Sequence, residues 1–256
     1  GIDRAGAALL IGTNPRWEAA VLNARLRRRW LAGKFEIGLI GEARDLTYRY
    51  THLGTGPSAL HALLGGADFA ETLRRAERPM IILGQGALAR PDGAAVLAAA
   101  WTLARKVGAL TPDWHGFNVL HTAAARVGGL DVGFLPGPGG RDIHAILDGA
   151  RAGEIEVVLS LGADDLDPAD LGSVFLVHIG THGGPIAARA DVLLPGAAYT
   201  EKDATFVNTE GRVQRTARAV FPPGDGREDW AIVRALSEAL DRTLPYDTID
   251  ELRARL

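Results

Sequence analysis

Short aliphatic runs alternate with longer amphipathic segments along this chain. The first run, residues 7–12 (AALLIG), is continuously apolar and ends in glycine, which is typical of a strand buried on both faces. Asn14 and Pro15 follow as an N-cap and a first-turn proline, so they predict a helix that extends to about Leu31. This alternation predicts an α/β fold with mostly parallel sheets and helices on both faces.

The same pattern predicts the remaining elements. Strands are expected at residues 35–41, 79–83, 157–161, 174–179, 192–194, 205–208 and 213–215. Helices are expected at residues 57–64, 67–76, 91–107, 141–152 and 228–241, and another begins at 248. Residues 128–140 are rich in glycine and proline, and we expect any internal boundary there.

Two segments of the chain resemble each other. Residues 9–15 and 159–165 both pass from a predicted strand through glycine and a small residue to a turn-forming polar residue. We therefore expect two Rossmann-like units that arose by duplication.

Composition excludes several classes of function. The 256 residues carry 28 Lys and Arg against 31 Asp and Glu, a net charge of −3, which provides no basic surface for nucleic acid or an anionic membrane. No apolar run is long enough to insert into a bilayer. The absence of cysteine excludes disulfides, a thiolate nucleophile and cysteine-held metal within these residues. Residue 1 is not methionine, so we expect a chain that is part of a longer one.

A glycine motif offers candidate binding residues. Residues 84–89 read GQGALA between a predicted strand and a helix, a setting in which backbone amides can hold a pyrophosphate. The ribose-binding acidic residue expected about 20 positions later is missing between residues 93 and 112. A packing role for Gly84 and Gly86 is therefore favoured over NAD binding. Asp164 and Asp165 likewise disfavour a phosphate at the second copy of the turn.

Histidines supply no convincing metal or catalytic site. His178 and His182 are four residues apart, but they span a predicted strand end and Gly180, so the helical geometry of a metal pair is not expected. No serine or cysteine nucleophile motif accompanies His115, His121 or His144. We assign neither a metal site nor catalytic residues.

Polar residues are densest in residues 189–214, where they alternate with small and apolar ones. The segment could order irregular chain by hydrogen bonding, or it could enclose a cofactor. Its polar positions and turn glycine are Glu201, Lys202, Asp203, Asn208, Glu210, Gly211 and Arg212.

That segment also carries a resemblance. ADVLLPGAAYTEKDATFVNTEGRVQ, residues 190–214, resembles the C-terminal signature of molybdopterin-type oxidoreductases, and more specifically the large iron–sulfur subunit of respiratory complex I, NADH:quinone oxidoreductase. Further stretches resemble the same subunit in the same order. They are residues 9–30, 41–54, 79–99, 117–133, 227–240 and 244–256.

The resemblance implies a molybdopterin-oxidoreductase-like region that serves as a scaffold. It implies [2Fe–2S] and [4Fe–4S] clusters in an N-terminal part outside these residues, and loss of the molybdopterin. Asp164-Asp165 stands where the enzymes often have Asn-Pro, and Asp203 where many have glycine. Gly12, Thr13 and Asn14 keep an enzyme-like turn, so with Gly84 and Gly86 they are candidates for a residual pocket.

The resemblance also implies partners and a location. They are other subunits of the hydrophilic arm, on the cytoplasmic face of the bacterial inner membrane or the matrix side of the mitochondrial one. Two alternatives stay open: a fragment of a true, formate-dehydrogenase-like molybdopterin oxidoreductase, and a nucleotide-binding module.

Overall fold

The computed structural model describes residues 1–256, which form two compact units. The first comprises Gly1–Arg126 with Asn208–Arg212, and the second comprises Val127–Val207 with Val213–Leu256.

The first unit is built on a parallel sheet. Its strands are β1 (Ala7–Ile11), β2 (Glu36–Ile40), β3 (Thr51–Gly54), β4 (Pro79–Gly84), β5 (Leu110–Thr111), β6 (Trp114–His115) and β7 (Phe117–Leu120). Its helices are α1 (Pro15–Glu18), α2 (Ala20–Leu31), α3 (Pro57–Leu64), α4 (Asp68–Arg75), α5 (Gln85–Leu88) and α6 (Gly93–Lys106). Five strands lie in the order β3-β2-β1-β4-β7 with parallel pairing throughout, and β5 and β6 form a small antiparallel pair.

Helices cover both faces of this sheet because its central strands are apolar at every position. Leu9 of β1 and Ile81 of β4 belong to the hydrophobic cluster that includes residues of α3, α4 and α6. Leu10 and Ile82, the next residues along, point to the opposite face and join Leu26 of α2. Successive side chains of a strand alternate between faces, so an unbroken apolar run fills two cores.

The strand order places a crevice in the first unit. From β1 the chain proceeds to β2 and β3 on one side of that strand, and it then crosses over to β4 on the other side. In open α/β sheets, ligands bind outside the carboxyl ends of the strands at such a reversal. The turns that follow β1, β2 and β4 therefore define where a site is to be sought.

The second unit has a smaller parallel sheet. Its elements are α7 (Arg126–Asp131), α8 (Ile143–Arg151), β8 (Val157–Leu161), β9 (Phe175–Gly180), α9 (Pro185–Arg189), β10 (Val192–Pro195), β11 (Ala204–Val207), β12 (Val213–Thr216), α10 (Asp229–Ala239) and α11 (Ile249–Arg253). The parallel order is β10-β9-β8, and β11 and β12 form an antiparallel hairpin. Leu171, Leu176 and Ile186 centre a core that also packs against Leu147 of α8.

The first strand of each unit ends in the same way. Gly12 after β1 has φ +57°, and its N–H donates to the Ile40 carbonyl oxygen of β2 at 2.8 Å. Gly162 after β8 has φ +63°, and its N–H donates to the Ile179 carbonyl oxygen of β9 at 2.9 Å. A third parallel strand follows in each sheet, β3 or β10. The two units therefore share the arrangement of these three strands, and their origin by duplication stays a prediction.

One edge of the second sheet is apolar and exposed. The Gly162 N–H and the Glu156 carbonyl both bond to β9, so the backbone groups of the alternate residues in β8 point away from it. The side chains of those residues, Val157, Leu159 and Leu161, are 59%, 46% and 52% exposed. Native proteins usually protect such an edge.

Several elements differ from the sequence-based expectations. The single helix expected over residues 15–31 is wrong, because Ala19 (φ −154°, ψ 71°) separates α1 from α2. The edge strands β3 and β7 were not predicted, since both are short and β3 is largely polar or exposed. Helix α7 begins just before the glycine-rich stretch and occupies its first residues, where irregular chain was expected.

Gly84 tests the close packing of the β1 and β4 turns. A Cβ there would lie 2.3 Å from the Gly12 carbonyl oxygen and 2.6 Å from Thr13 Cβ, so one turn must move. We expect Gly84→Ala to lower the free energy of unfolding by about 1–3 kcal/mol or more, measured by urea unfolding. Gly56→Ala is the control, because a Cβ at Gly56 meets nothing within 4 Å and its φ is −137°. Equal stability of the two variants would contradict this packing constraint.

Asp3 generates a pH-dependent prediction. The Arg28 guanidinium at 2.5 Å, with that of Arg25 at 3.0 Å, lowers the pKa of the Asp3 carboxyl from 3.8 to about 2. A depressed pKa contributes stability that is present above the unfolded value and lost as pH falls through the folded one.

We expect Asp3→Asn to cost under about 1 kcal/mol near neutral pH, since the pairs are largely exposed. The difference from wild type should shrink between pH 3.8 and about 2. Urea unfolding across that range measures it, with Asp131→Asn, which removes an exposed carboxylate outside any ion pair, as the control. A difference that stays constant with pH would contradict the assignment.

Candidate functional site

A cavity of about 440 Å³ lies at the carboxyl ends of β1 and β2 in the first unit. Its walls come from the turns after β1, β2 and β4 and from the start of α3, where the strand order predicts a crevice. The lining residues are Ile11, Gly12, Thr13, Asn14, Glu18, Ile40, Gly41, Glu42, Arg44, Thr55, Gly56, Pro57, Leu60, Gly86, Ala87, Arg90 and Val96.

Four of the five residues expected in a residual pocket line this cavity, namely Gly12, Thr13, Asn14 and Gly86. Gly84 does not line it. A Cβ at Gly84 would meet the Gly12 carbonyl oxygen, so Gly84, at the end of the neighbouring strand β4, packs directly against the turn after β1. Gly84 therefore packs the two turns together, whereas Gly86 lines the cavity.

Glu18 engages the donors of the turn after β1. The Thr13 hydroxyl donates to Glu18 Oε2 at 2.7 Å, and the Asn14 backbone N–H donates to Glu18 Oε1 at 2.7 Å. Asn14 Oδ1, in contrast, is buried without a hydrogen-bond partner. The turn thus presents an unpaired acceptor, while two of its donors are already bonded to a carboxylate.

The other charged groups of the cavity are paired. Glu42 forms an ion pair with Arg44. Arg90 donates to Asp92 at 2.7 Å, and this bond lowers the pKa of the Asp92 carboxyl. Each arginine that lines the cavity is thus paired with an acidic side chain.

Buried hydrogen bonds fix the loop after β2. Asn23 of α2 donates from Nδ2 to the Leu46 carbonyl at 3.2 Å and accepts at Oδ1 from the Tyr48 hydroxyl at 2.9 Å. Burial raises the pKa of Tyr48, so its hydroxyl stays a donor at all ordinary pH values. Nearby, Arg16 donates to Asp45 at 2.6 Å. The pKa of Asp45 is lowered, first by the Thr47 N–H and then by Arg16.

Glu42 and Glu18 were missed by the sequence reasoning. An acidic ribose partner was expected about 20 residues after the glycine motif at residues 84–89. The first strand of this sheet along the chain is β1, however, and Glu42 follows the next strand, β2, directly after Gly41. That position after a second strand was a readable signal. Glu18 carried no comparable signal, because its role depends on its carboxylate reaching back to Thr13 and Asn14 within the single turn of α1.

None of the residues in the polar segment 201–212 lines the cavity. Glu201 Oε2 accepts from the Ala198 N–H at 2.9 Å, and Lys202 forms an ion pair with Asp229. Asp203 accepts from the Arg218 N–H at 2.9 Å. Within the second unit these bonds brace the start of the β11–β12 hairpin against neighbouring chain.

The hairpin turn is closed by one side chain. Asn208 Oδ1 accepts from the Glu210 N–H at 3.0 Å and from the Arg212 N–H at 2.9 Å. Gly211 takes φ +77°, the left-handed region that glycine adopts freely. The Arg212 side chain is exposed and reaches Glu210 only at 4.0 Å. These contacts explain how residues 201–212 are held in place by hydrogen bonds within the protein.

The histidines are not brought together. His178 lies buried in β9 with Nδ1 3.2 Å from Ser160 Oγ, whereas His182 is exposed beside Thr181. Gln85 donates to His121 Nδ1 at 3.1 Å, and burial lowers the pKa of His121. No three His, Cys, Asp or Glu side chains are placed to hold a metal ion.

The sequence profile of the molybdopterin oxidoreductase family matches residues 1–239. The chain belongs to the molybdopterin oxidoreductase family. Its fold agrees: acetylene hydratase from Pelobacter acetylenicus superposes with a TM-score of 0.64 over 94% of this chain and 48% of that one, at 11% identity.

Within the family, the chain is similar to curated proteins of one kind, subunits of NADH-ubiquinone oxidoreductase. The chain is 45% identical to the NADH-ubiquinone oxidoreductase 78 kDa subunit of Neurospora crassa, over 100% of this chain and 34% of the relative. It is 42% identical to the 75 kDa subunit of Reclinomonas americana (99% and 36%) and 43% identical to the 78 kDa subunit of Candida albicans (100% and 34%). The chain thus spans about a third of the length of these relatives.

The family name implies a molybdopterin cofactor, but the cavity does not fit one. Such cofactors carry phosphate, which needs free donors, and Glu18 already holds the Thr13 hydroxyl and the Asn14 N–H. A phosphate at the turn would also face the Glu18 carboxylate. The 256 residues contain no cysteine to ligate molybdenum. Separately, none of the helices is long and apolar enough to cross a bilayer.

Tyr48 tests the bonds that fix the cavity loop. Tyr48→Phe leaves the buried Asn23 amide oxygen without its donor, so we expect unfolding to become easier by about 1–3 kcal/mol. Tyr199→Phe is the matched control, since Tyr199 is 77% exposed and should give nearly no change. Both are measured by urea unfolding. A cost at Tyr199 equal to that at Tyr48 would show that the buried bond is not the cause.

Proposed function

We propose that this chain is the molybdopterin-oxidoreductase-like region of the large iron–sulfur subunit of NADH:quinone oxidoreductase, and that it serves there as a non-catalytic structural scaffold. Identity of 42–45% to 75 and 78 kDa subunits over essentially the whole chain supports the assignment to that subunit.

One observation carries the non-catalytic part of this proposal. The cavity at the expected ligand position has its turn donors bonded to Glu18 and its arginines paired with acidic side chains. Catalysis requires groups that are free to stabilise a substrate or cofactor as charge develops. Here the polar groups are used to stabilise the fold.

The electron-transfer activity belongs to the assembly in this proposal. The full-length subunit passes electrons from NADH and flavin toward quinone through [2Fe–2S] and [4Fe–4S] clusters held by its N-terminal part. The scaffold binds other subunits of the hydrophilic arm, on the cytoplasmic face of a bacterial inner membrane or on the mitochondrial matrix side. It binds no nucleic acid and inserts no segment into the bilayer.

Exposed apolar surface supports a role within an assembly. The β8 edge carries Val157, Leu159 and Leu161 exposed, and Trp17 and Val21 of the first unit are 84% and 78% exposed. Clusters of exposed large apolar side chains are characteristic of interaction surfaces. A scaffold that contacts neighbouring chain accounts for them.

Metal and pterin analysis of the purified, intact complex tests the non-catalytic role. We expect iron in proportion to the clusters and neither molybdenum nor pterin in stoichiometric amount. Stoichiometric molybdenum with pterin would overturn the proposal and favour a true molybdopterin oxidoreductase.

Glu201→Ala tests the scaffold in the same complex. Removing the carboxylate frees the Ala198 N–H and loosens the base of the hairpin, so we expect less assembled complex but unchanged turnover per assembled complex. Arg215→Ala, which alters an exposed residue of the same hairpin, is the control. Normal assembly with slower cluster reduction would contradict a purely structural role.

A further inference from the structure

Glu18 occupies a particular position at the cavity. It is the last residue of the single-turn helix α1, and its backbone N–H donates to the Asn14 carbonyl at 2.9 Å. Its carboxylate returns to the start of the same turn, where it accepts from the Asn14 N–H and the Thr13 hydroxyl at 2.7 Å each. The two carboxylate oxygens are thus each used on a different donor of the turn.

These are the donors that an incoming anion would use. The turn after the first strand of an open α/β sheet is where backbone amides and hydroxyls hold phosphate groups. Thr13 is buried, so its hydroxyl has few alternative partners. A carboxylate with two oxygens and a negative charge satisfies the same donors as a phosphate would.

Other groups at the cavity reinforce this reading. The Asn14 side chain contributes a buried acceptor oxygen that has no hydrogen-bond partner. Glu42 lines the same cavity and forms an ion pair with Arg44. The space itself remains, at about 440 Å³, so a ligand is not excluded by volume. An anionic ligand would instead be opposed by the negative charge of Glu18 and by the turn donors that are already bonded to it.

We propose that the Glu18 carboxylate is a built-in substitute for the anionic group of a ligand, and that it closes this cavity to phosphate-bearing molecules. The inference deepens the proposed non-catalytic role and rests on it. It assigns the loss of cofactor binding to one side chain in addition to the absence of a metal ligand.

Inorganic pyrophosphate is the probe that tests this directly. Isothermal titration into the purified protein should give no measurable binding to wild type at millimolar ligand. Glu18→Ala frees the Thr13 hydroxyl and the Asn14 N–H, so we expect its affinity to rise by about tenfold or more. Glu18→Gln removes the charge and keeps one acceptor, so its gain should be smaller.

Glu42→Ala is the comparison variant: it removes a carboxylate from the same cavity and frees Arg44, but it leaves the donors of the turn bonded to Glu18, so it measures what the change of charge alone contributes. We expect it to gain far less affinity than Glu18→Ala. Circular dichroism and thermal unfolding establish that each variant is folded. If Glu18→Ala does not fold, the comparison of Glu18→Gln with Glu42→Gln takes its place.

Three results would overturn the inference. They are wild-type binding as tight as that of the Glu18 variants, no gain in any folded Glu18 variant, and an equal gain in the Glu42 variant. None of these bears on the metal and pterin content of the intact complex. Failure of this inference and failure of the scaffold role are therefore distinguishable.

Discussion

The close approach of two backbone turns organises the first unit. Gly12 ends β1 in the left-handed region, and Gly84 ends β4 so near to it that a side chain on Gly84 would overlap the Gly12 carbonyl. Ala87, in the short helix after β4, packs against the same glycine. This contact joins the two central strands at their carboxyl ends, where Gly12 and Ala87 line the cavity. The loops on either side are positioned relative to it.

Around the cavity the polar groups bond to one another, apart from the unpaired Asn14 Oδ1. Glu18 bonds the turn, Glu42 neutralises Arg44, and Arg90 is held by Asp92. Each pair stabilises the loops around the cavity and occupies a group that could otherwise bind a ligand. A bonded donor must be released before it can bind another acceptor. A family fold associated with a large cofactor is thereby compatible with a structural role.

The prediction of strands succeeded where the sequence is a clear aliphatic run. β1 and β4 are buried along their whole length, and β8 is an exposed edge strand, but aliphatic residues dominate all three and periodicity identifies them readily. The edge strands β3 and β7 exist only because a neighbour offers backbone partners, and their short sequences carry little signal. The break at Ala19 likewise follows from how the turn closes and not from a helix-breaking residue.

The sequence by itself determined the fold class, the duplicated strand–glycine pattern, the glycine-based packing turn and the resemblance to a large iron–sulfur subunit, since all of these depend on local composition and residue order. Only the tertiary structure decided which residues share the cavity. It showed the Glu18 carboxylate bonded to Thr13 and Asn14 of its own turn, and it placed Glu42 in the same cavity. Those contacts depend on turn geometry and on the register of parallel strands, neither of which a linear pattern encodes.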